Sequence, residues 1–315
     1  MSRSVPTPPP TFSFRGTLMS PSASSPPSAA RLGFIGGGRM AQALAAGIAQ
    51  RSEGSSSIRF HDPNAGANEA FRRLVPGSIA CDDNRRLVAE SDLIVLAVKP
   101  PYVDAALAAA GDLTGKLVLS VVAGRTLADL AGPVGHRRIV RAMPNTPALV
   151  GWGATCYSLG AGVLDGDRER VEDLLASVGL AFEVPESALD AVTGVSGSGP
   201  AYVLLMIEAL ADGGVRMGLP RELALRLAAR TVAGAGVLVE RTGTHPALLR
   251  EQVTSPGGTT AAALATLEAG AVRSHVQEAV RAAALRAAEM GREGSKCNAQ
   301  EIGGREIGGS ESRKG

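Results

Sequence analysis

Through the first half of the chain, short apolar runs alternate with stretches whose apolar residues recur at helical spacing. Runs at 31–35, 58–62, 78–80, 93–98, 117–121 and 139–143 have the length and composition of buried strands, and helical stretches at 85–90, 102–110 and 127–131 lie between them. A helix over 167–177 and a strand over 181–183 close the series. Such alternation predicts an α/β domain over 31–185, built on a doubly wound parallel sheet. Beyond it, over 186–292, helix follows helix, at about 200–213, 220–241, 245–253, 259–269 and 271–290, with glycines at the breaks. From Ala261 to Met290 alanines cover several faces of two helices. Helices this smooth need close partners, so a homodimer made through an all-helical domain is expected, with a self-contained bundle as the alternative.

The first strand runs straight into Gly36-Gly37-Gly38-Arg39-Met40-Ala41, after which Ala43, Leu44, Ala46, Gly47 and Ile48 keep helical spacing. This is GxGxxA between a strand and a helix, the sign of a Rossmann-type dinucleotide-binding domain. Gly36 makes the tight turn, Gly38 lets backbone approach a pyrophosphate beside the first N–H groups at Arg39 and Met40, and Ala41 permits close packing of helix on sheet. Ligands on such a sheet lie at the carboxyl ends of the strands, so further cofactor contacts are expected from Ala97, Val98 and Lys99, from Ala123 and Gly124, and from Asn145. Lys99 supplies charge or only backbone there. Asp62, at the end of the second strand, is expected to accept from the adenosine ribose hydroxyls and repel a 2′-phosphate, favouring NADH over NADPH; the alternative is a turn with Pro63 and Asn64. Asn84 reads as a helix cap whose amide could also reach the adenosine end.

A second glycine-rich turn lies in EQVTSPGGTTAAALATLE, residues 251–268. Pro256 stops a preceding helix, Gly257 and Gly258 let backbone come close to a ligand, and Thr259 and Thr260 place hydroxyls where the next helix leaves N–H groups unpaired. With Ser255, these residues suit a carboxylate. An ordinary threonine-capped helix is the plainer reading.

Composition narrows the function. With 315 residues, 45% hydrophobic and 20% charged, two compact domains are expected. A net charge of +2, with both signs interspersed, offers no basic stripe for nucleic acid. Cys81, Cys156 and Cys297 are odd in number and widely spaced, which argues against disulfides and zinc and fits a reducing cytoplasm. His61, His136, His245 and His275 share no metal or triad spacing, so no metal is expected. Apolar runs such as Leu93 to Val98 are too short for a bilayer, and no membrane partner is expected. Tyr202 and Glu208 could place a proton donor on a buried helix, though such an acid is more often paired and structural. Residues 1–30, rich in Pro and Ser, and 293–315, rich in Gly, Ser and charge, read as disordered tails. The first overlaps in composition with transit peptides, but its prolines oppose the amphipathic helix such peptides use.

Taken together, IGGGRMAQAL at 35–44, LAVKP at 96–100, MPNTP at 143–147, VSGSGPAYV at 195–203, ALADGGVRMGLPRELA at 209–224 and VTSPGGTTAAAL at 253–264 resemble pyrroline-5-carboxylate reductase over residues 31 to about 290. The resemblance implies reduction of Δ1-pyrroline-5-carboxylate to L-proline by NADPH or NADH, the last step of proline synthesis, and a dimer interwoven through the helical domain, often assembled into a decamer. Ser255 to Thr260 would then cradle the substrate carboxylate, with Thr260 as the catalytic hydroxyl near the imine nitrogen. Family members that prefer NADPH tend to carry a small hydroxyl residue where this chain has Asp62, and Gln252 stands where some relatives have asparagine. Two alternatives are a related imine or hydroxy-acid reductase and a non-catalytic NAD(P)-sensing scaffold. The hydroxy-acid enzymes generally need a helical-domain lysine, and 186–290 contain none; a scaffold would be expected to lose the hydroxyls that Thr259 and Thr260 retain.

Overall fold

The computed structural model describes residues 31–51 and 57–306, with side chains to Arg292. The chain divides into two compact units: one runs from the first described residues to Pro144 and includes Ala148–Leu189, and the other joins Asn145–Pro147 to Asp190 and beyond.

The first unit is an eight-stranded sheet in the order β3-β2-β1-β4-β5-β6-β7-β8. Its strands are β1 (Leu32–Ile35), β2 (Ile58–His61), β3 (Ile79–Ala80), β4 (Leu93–Leu96), β5 (Leu117–Ser120), β6 (Ile139–Met143), β7 (Gly153–Leu159) and β8 (Gly179–Glu183). The helices between them are α1 (Arg39–Arg51), α2 (Ala65–Leu74), α3 (Asn84–Ala89), α4 (Val103–Ala110), α5 (Leu127–Val134) and α6 (Asp167–Ala176). Every residue of β1, β4 and β5 is buried, because helices cover both faces. Alternation along each strand divides the core in two. Phe34, Val95 and Leu119 join Phe60, Phe71 and Tyr157 on one side, while Ile35, Ile94, Leu96 and Val118 join Leu87, Leu107 and Leu130 on the other. The Phe60 and Phe71 rings stack at 4.1 Å. Burying each such side chain contributes about 1.5–3 kcal/mol.

The expected doubly wound sheet is present, with one correction. β7 runs antiparallel to β6, pairing Val140 with Leu159 and Met143 with Cys156. The chain between them, Pro144 to Trp152, holds only a 3₁₀ turn at Thr146–Val150, too short for a crossover helix. α6 then carries the chain back so that β8 lies parallel to β7.

A buried ion pair ties this end of the sheet together. Asp167, almost fully buried, accepts both arms of the Arg138 fork at 2.8 Å and the Leu164 N–H at 3.0 Å. Arg138 first, and then the Leu164 N–H, hold the Asp167 carboxyl below its ordinary value of 3.8. Asp167→Ala strands the guanidinium and is expected to lower unfolding stability by about 3 kcal/mol in urea titration at pH 7. Because the folded-state value is depressed, this contribution is complete above pH 3.8 and drains away as pH falls further. The gap between wild type and variant should therefore narrow in acid.

The second unit is helical. α7 (Leu189–Val192) and a π-helical turn at Thr193–Gly197 lead into α8 (Gly199–Arg216), followed by α9 (Arg221–Thr242), α10 (Pro246–Gln252), α11 (Thr259–Ala269) and α12 (Val272–Glu306). Gly194 in the π turn lies under α12, where an added Cβ would sit 2.5 Å from the Val280 carbonyl oxygen. α8 packs on α9 around Ala211, Ala224 and Ala228, with Ile207 and Val215 beside them. That is a small core, and large apolar side chains remain exposed, among them Leu204, Leu205, Met217 and Val253. A surface of this kind is completed by association.

Two expectations change here. The tail expected from residue 293 is helical as far as Glu306, its Glu, Arg, Lys, Gln and Ala residues being good helix formers. Residues 1–30 and 307–315 of the expected tails lie outside the described residues. The stretch Glu186–Arg216 is long and apolar enough to cross a membrane by length and composition, which the separate apolar runs did not suggest. It joins a 3₁₀ turn at Glu186–Ala188, α7, the π turn and α8, carries Asp190, Glu208 and Asp212, and packs through α8 on α9.

Candidate cofactor and substrate sites

Gly36 lies at the switch point of the sheet, where β1 has β2 on one side and β4 on the other. Its N–H donates to the His61 carbonyl at 2.9 Å, and the Ala97 N–H donates to the Ile35 carbonyl at 2.9 Å, so the loops after β1, β2 and β4 meet there. Gly36 adopts φ +97°, and a Cβ would fall 2.8 Å from the Ala97 carbonyl oxygen. No other residue fits this turn without strain. Gly38 differs: it is exposed, and a Cβ would meet nothing within 4 Å. The space above it, the α1 N–H groups at Arg39 and Met40, and the absence of an acid from the first turn of α1 fit a pyrophosphate.

The turn is braced from two sides that sequence reading did not identify. The buried Gln42 amide donates to the Gly37 carbonyl at 2.7 Å. Asp62 accepts from the Gly37 N–H at 2.8 Å with one oxygen and from the Asn64 N–H at 2.8 Å with the other. Asp62 thus shapes both the glycine turn and its own turn, while Asn64 caps α2. An ionised carboxylate has about four acceptor sites, so two remain for ribose hydroxyls. Asn68 donates to the Asp62 carbonyl at 2.7 Å.

Ala97 and Val98 are half-buried after β4, and Lys99 is exposed. Ala123 and Gly124 follow β5, with Gly124 at φ +71°. Asn145 is buried two residues past β6 and belongs with the second unit. Asn84 is not the cap expected of it. Asp83 caps α3 by accepting from the Arg86 N–H at 2.7 Å. Asn84 is buried, donates to the Ala106 carbonyl at 3.1 Å, and leaves its Oδ1 buried without a partner among the described residues.

In the second unit, Thr254 donates to the Arg250 carbonyl at 2.7 Å and ends α10, and Gly258 donates to the Ser255 carbonyl at 3.0 Å to close the turn. Gly257 has φ +67°. The cap of α11 is Gly258, not a threonine, and among the described residues no side chain caps the first N–H groups of the helix. Ser255, Gly257 and Thr259 are exposed, and Gly258 and Thr260 are half-buried. The Ser255–Thr260 turn therefore gathers hydroxyls and uncapped N–H groups at one helix end, an arrangement suited to a carboxylate.

The side chains of the other candidates make no hydrogen bond to either turn among the described residues. Burial raises the pKa of the Cys81 and Cys156 thiols, so they remain protonated and poorly nucleophilic. Tyr202 donates to the Ala279 carbonyl at 3.4 Å, and Glu208 is exposed instead of lying on a buried face. His61 and His136 hydrogen-bond backbone carbonyls at Cys81 and Leu113.

Known proteins agree with both units. A family model for pyrroline-5-carboxylate reductase dimerisation matches residues 186–290, and one for NADP oxidoreductase, coenzyme F420-dependent, matches residues 31–124. Pyrroline-5-carboxylate reductase of Glycine max is 44% identical over 266 residues, covering 82% of this chain and 95% of the relative. The Synechocystis sp. enzyme is 44% identical over 264 residues, covering 83% of this chain and 98% of its own. Among solved structures, Plasmodium falciparum pyrroline carboxylate reductase with NADP bound aligns at a TM-score of 0.76 with 34% identity, covering 83% of this chain and 98% of that one. With identity of this level sustained through both units, the chain belongs to the pyrroline-5-carboxylate reductase family.

Proposed function

We propose that this chain reduces Δ1-pyrroline-5-carboxylate to L-proline, the last step of proline synthesis, with the dinucleotide at the Gly36 turn and the substrate carboxylate at Ser255–Thr260. The observation that carries the substrate assignment is the α11 start, where Gly258 caps the helix and no side chain among the described residues competes for its N–H groups. The bound dinucleotide supplies the hydride that reduces the C=N bond. The chain's own part is binding and orientation. Gly36, Gly38, Arg39 and Met40 take the pyrophosphate, and Asp62, Asn84, Ala97, Val98, Lys99, Ala123, Gly124 and Asn145 are read as the remaining cofactor contacts. Ser255, Gly257, Gly258 and Thr259 hold the carboxylate. The Thr260 hydroxyl orients the imine nitrogen or relays a proton from water, since threonine is too weak an acid to act alone near neutral pH. Most of the acceleration comes from fixing donor and acceptor in contact. Steady-state kinetics with Δ1-pyrroline-5-carboxylate test the reading, and no oxidation of NADH or NADPH would end it.

Asp62 supports a preference for NADH, because its carboxylate stays beside the glycine turn and repels a 2′-phosphate. We expect kcat/KM to be higher with NADH, and Asp62→Ser to narrow the difference by about tenfold, equivalent to about 1.4 kcal/mol. Equal or better use of NADPH by the wild type would refute it. The helical unit, with its exposed apolar residues and its match to the dimerisation model, supports a homodimer with α8 facing a second copy and not a membrane; assembly into a decamer follows from the family resemblance alone, and a cytoplasmic location from the widely spaced cysteines. Light scattering of the purified protein gives the mass that checks this.

A further inference from the structure

At the end of the sheet opposite the glycine turn, three adjacent strands begin with charged residues. Asp92 precedes β4, Lys116 precedes β5 and Arg138 precedes β6. With Thr114, Gly115 and Arg170 of α6 they line an open surface cleft of about 320 Å³. Its walls are cross-linked. The Arg138 fork reaches the Gly115 carbonyl at 2.5 Å, the His136 ring meets the Leu113 carbonyl at 2.9 Å, and Lys116 donates to the Ser91 carbonyl at 2.7 Å. Gly115 turns the 113–116 loop at φ +76°.

The charges in and around the cleft do not balance. Arg31 takes both oxygens of Asp92, and Arg138 takes both oxygens of Asp167. Asp92 and Asp167 are therefore each matched by a bidentate arginine, while the exposed Asp112 carboxylate accepts from the Thr114 N–H at 2.8 Å. Lys116 and Arg170 act on Asp92 and Asp167 only as second, weaker cations. Lys116 has two ammonium donors beyond its bond to Ser91, and Arg170 is half-exposed with only a 3.9 Å approach to Asp167. Arg31 holds the Asp92 carboxyl down at about 2, so neither it nor the depressed Asp167 takes up a proton near neutral pH.

We propose that this cleft binds a phosphate-class dianion between Lys116 and Arg170. A dianion is complementary to these two cations, and walls cross-linked by hydrogen bonds reduce the ordering cost of holding it. The shared chemistry is the terminal phosphate, free or carried on a small organic monoester.

The test uses the full-length protein with saturating NADH, so that the glycine turn is occupied. Thermal melting is followed against inorganic phosphate and, in a separate arm, ribose 5-phosphate, with sodium chloride and sodium acetate at matched ionic strength as controls. Phosphate or the monoester should raise the wild-type Tm in a saturable way, and the arm with the lower half-saturation identifies the physiological form. Lys116→Met/Arg170→Gln should raise that half-saturation at least tenfold. Arg170→Glu, an exposed change that leaves the Ser91 bond intact, should do the same should the double variant melt poorly. Equal stabilisation of wild type and variants, as anion binding at α1 or α11 would produce, overturns the proposal. So does a response no larger than that to chloride or acetate.

Discussion

Replacing Gly38 with aspartate is expected to raise the KM for NADH about a hundredfold, equivalent to about 2.7 kcal/mol, while the protein stays folded. The fold tolerates the change because a side chain at Gly38 enters open space, with no atom within 4 Å of its Cβ. That space is where the pyrophosphate is read to lie. A carboxylate there occupies it, pairs with the α1 N–H groups and repels the incoming phosphates; each hydrogen bond lost to a charged group costs about 1.5–3 kcal/mol. Gly36→Ala separates folding from binding. At φ +97° and 2.8 Å from the Ala97 oxygen, an alanine strains the turn itself, so this variant should lose thermal stability as well as affinity. Calorimetric titration with NADH beside a circular dichroism melt reads both. Unchanged affinity in Gly38→Asp would remove the turn from cofactor binding.

Thr260→Val is the second large effect: kcat should fall about a hundredfold, with the NADH dissociation constant unchanged. Valine keeps the branched shape, and α11 loses no cap because Gly258 provides it. The Thr260 hydroxyl makes no hydrogen bond among the described residues, so its removal leaves no buried partner stranded. A structural role would lower Tm and leave kcat per folded enzyme intact, whereas a role at the imine lowers kcat at constant Tm. Stopped-flow measurement of NADH oxidation under single-turnover conditions separates the step from product release. An unaffected rate would take Thr260 out of the mechanism.

Much of the first unit was legible because a buried parallel strand declares itself by continuous apolar residues, and the strands expected at 93–98 and 117–121 are present, shortened to Leu93–Leu96 and Leu117–Ser120. β7 was missed although Gly153, Thr155 and Tyr157 are buried and alternate with half-buried Ala154 and Cys156. Its period-2 signal was present, but Gly153, Cys156 and Ser158 dilute it, and a βαβ expectation leaves no place for an antiparallel strand. Asn84 was misread for a local reason. Asp82, Asp83 and Asn84 are all good caps, and choosing among them requires knowing which side chain packs inward against α4. Asp62 was placed at the correct strand end, yet its bond to the Gly37 N–H, twenty-five residues away, leaves no trace in local pattern.

By itself the sequence determined what short-range chemistry controls: which runs become strands and helices, where glycine is required, and which helix start lacks a competing acid. Tertiary structure alone decided pairings between distant segments. The direction of β7, the Asp62 and Gln42 braces on the glycine turn, and the matching of Asp92 and Asp167 to their arginines depend on distances that only the folded chain sets. Hydrogen bonds and ion pairs act over a few ångströms of space irrespective of separation along the chain, whereas propensity and periodicity act over neighbouring residues.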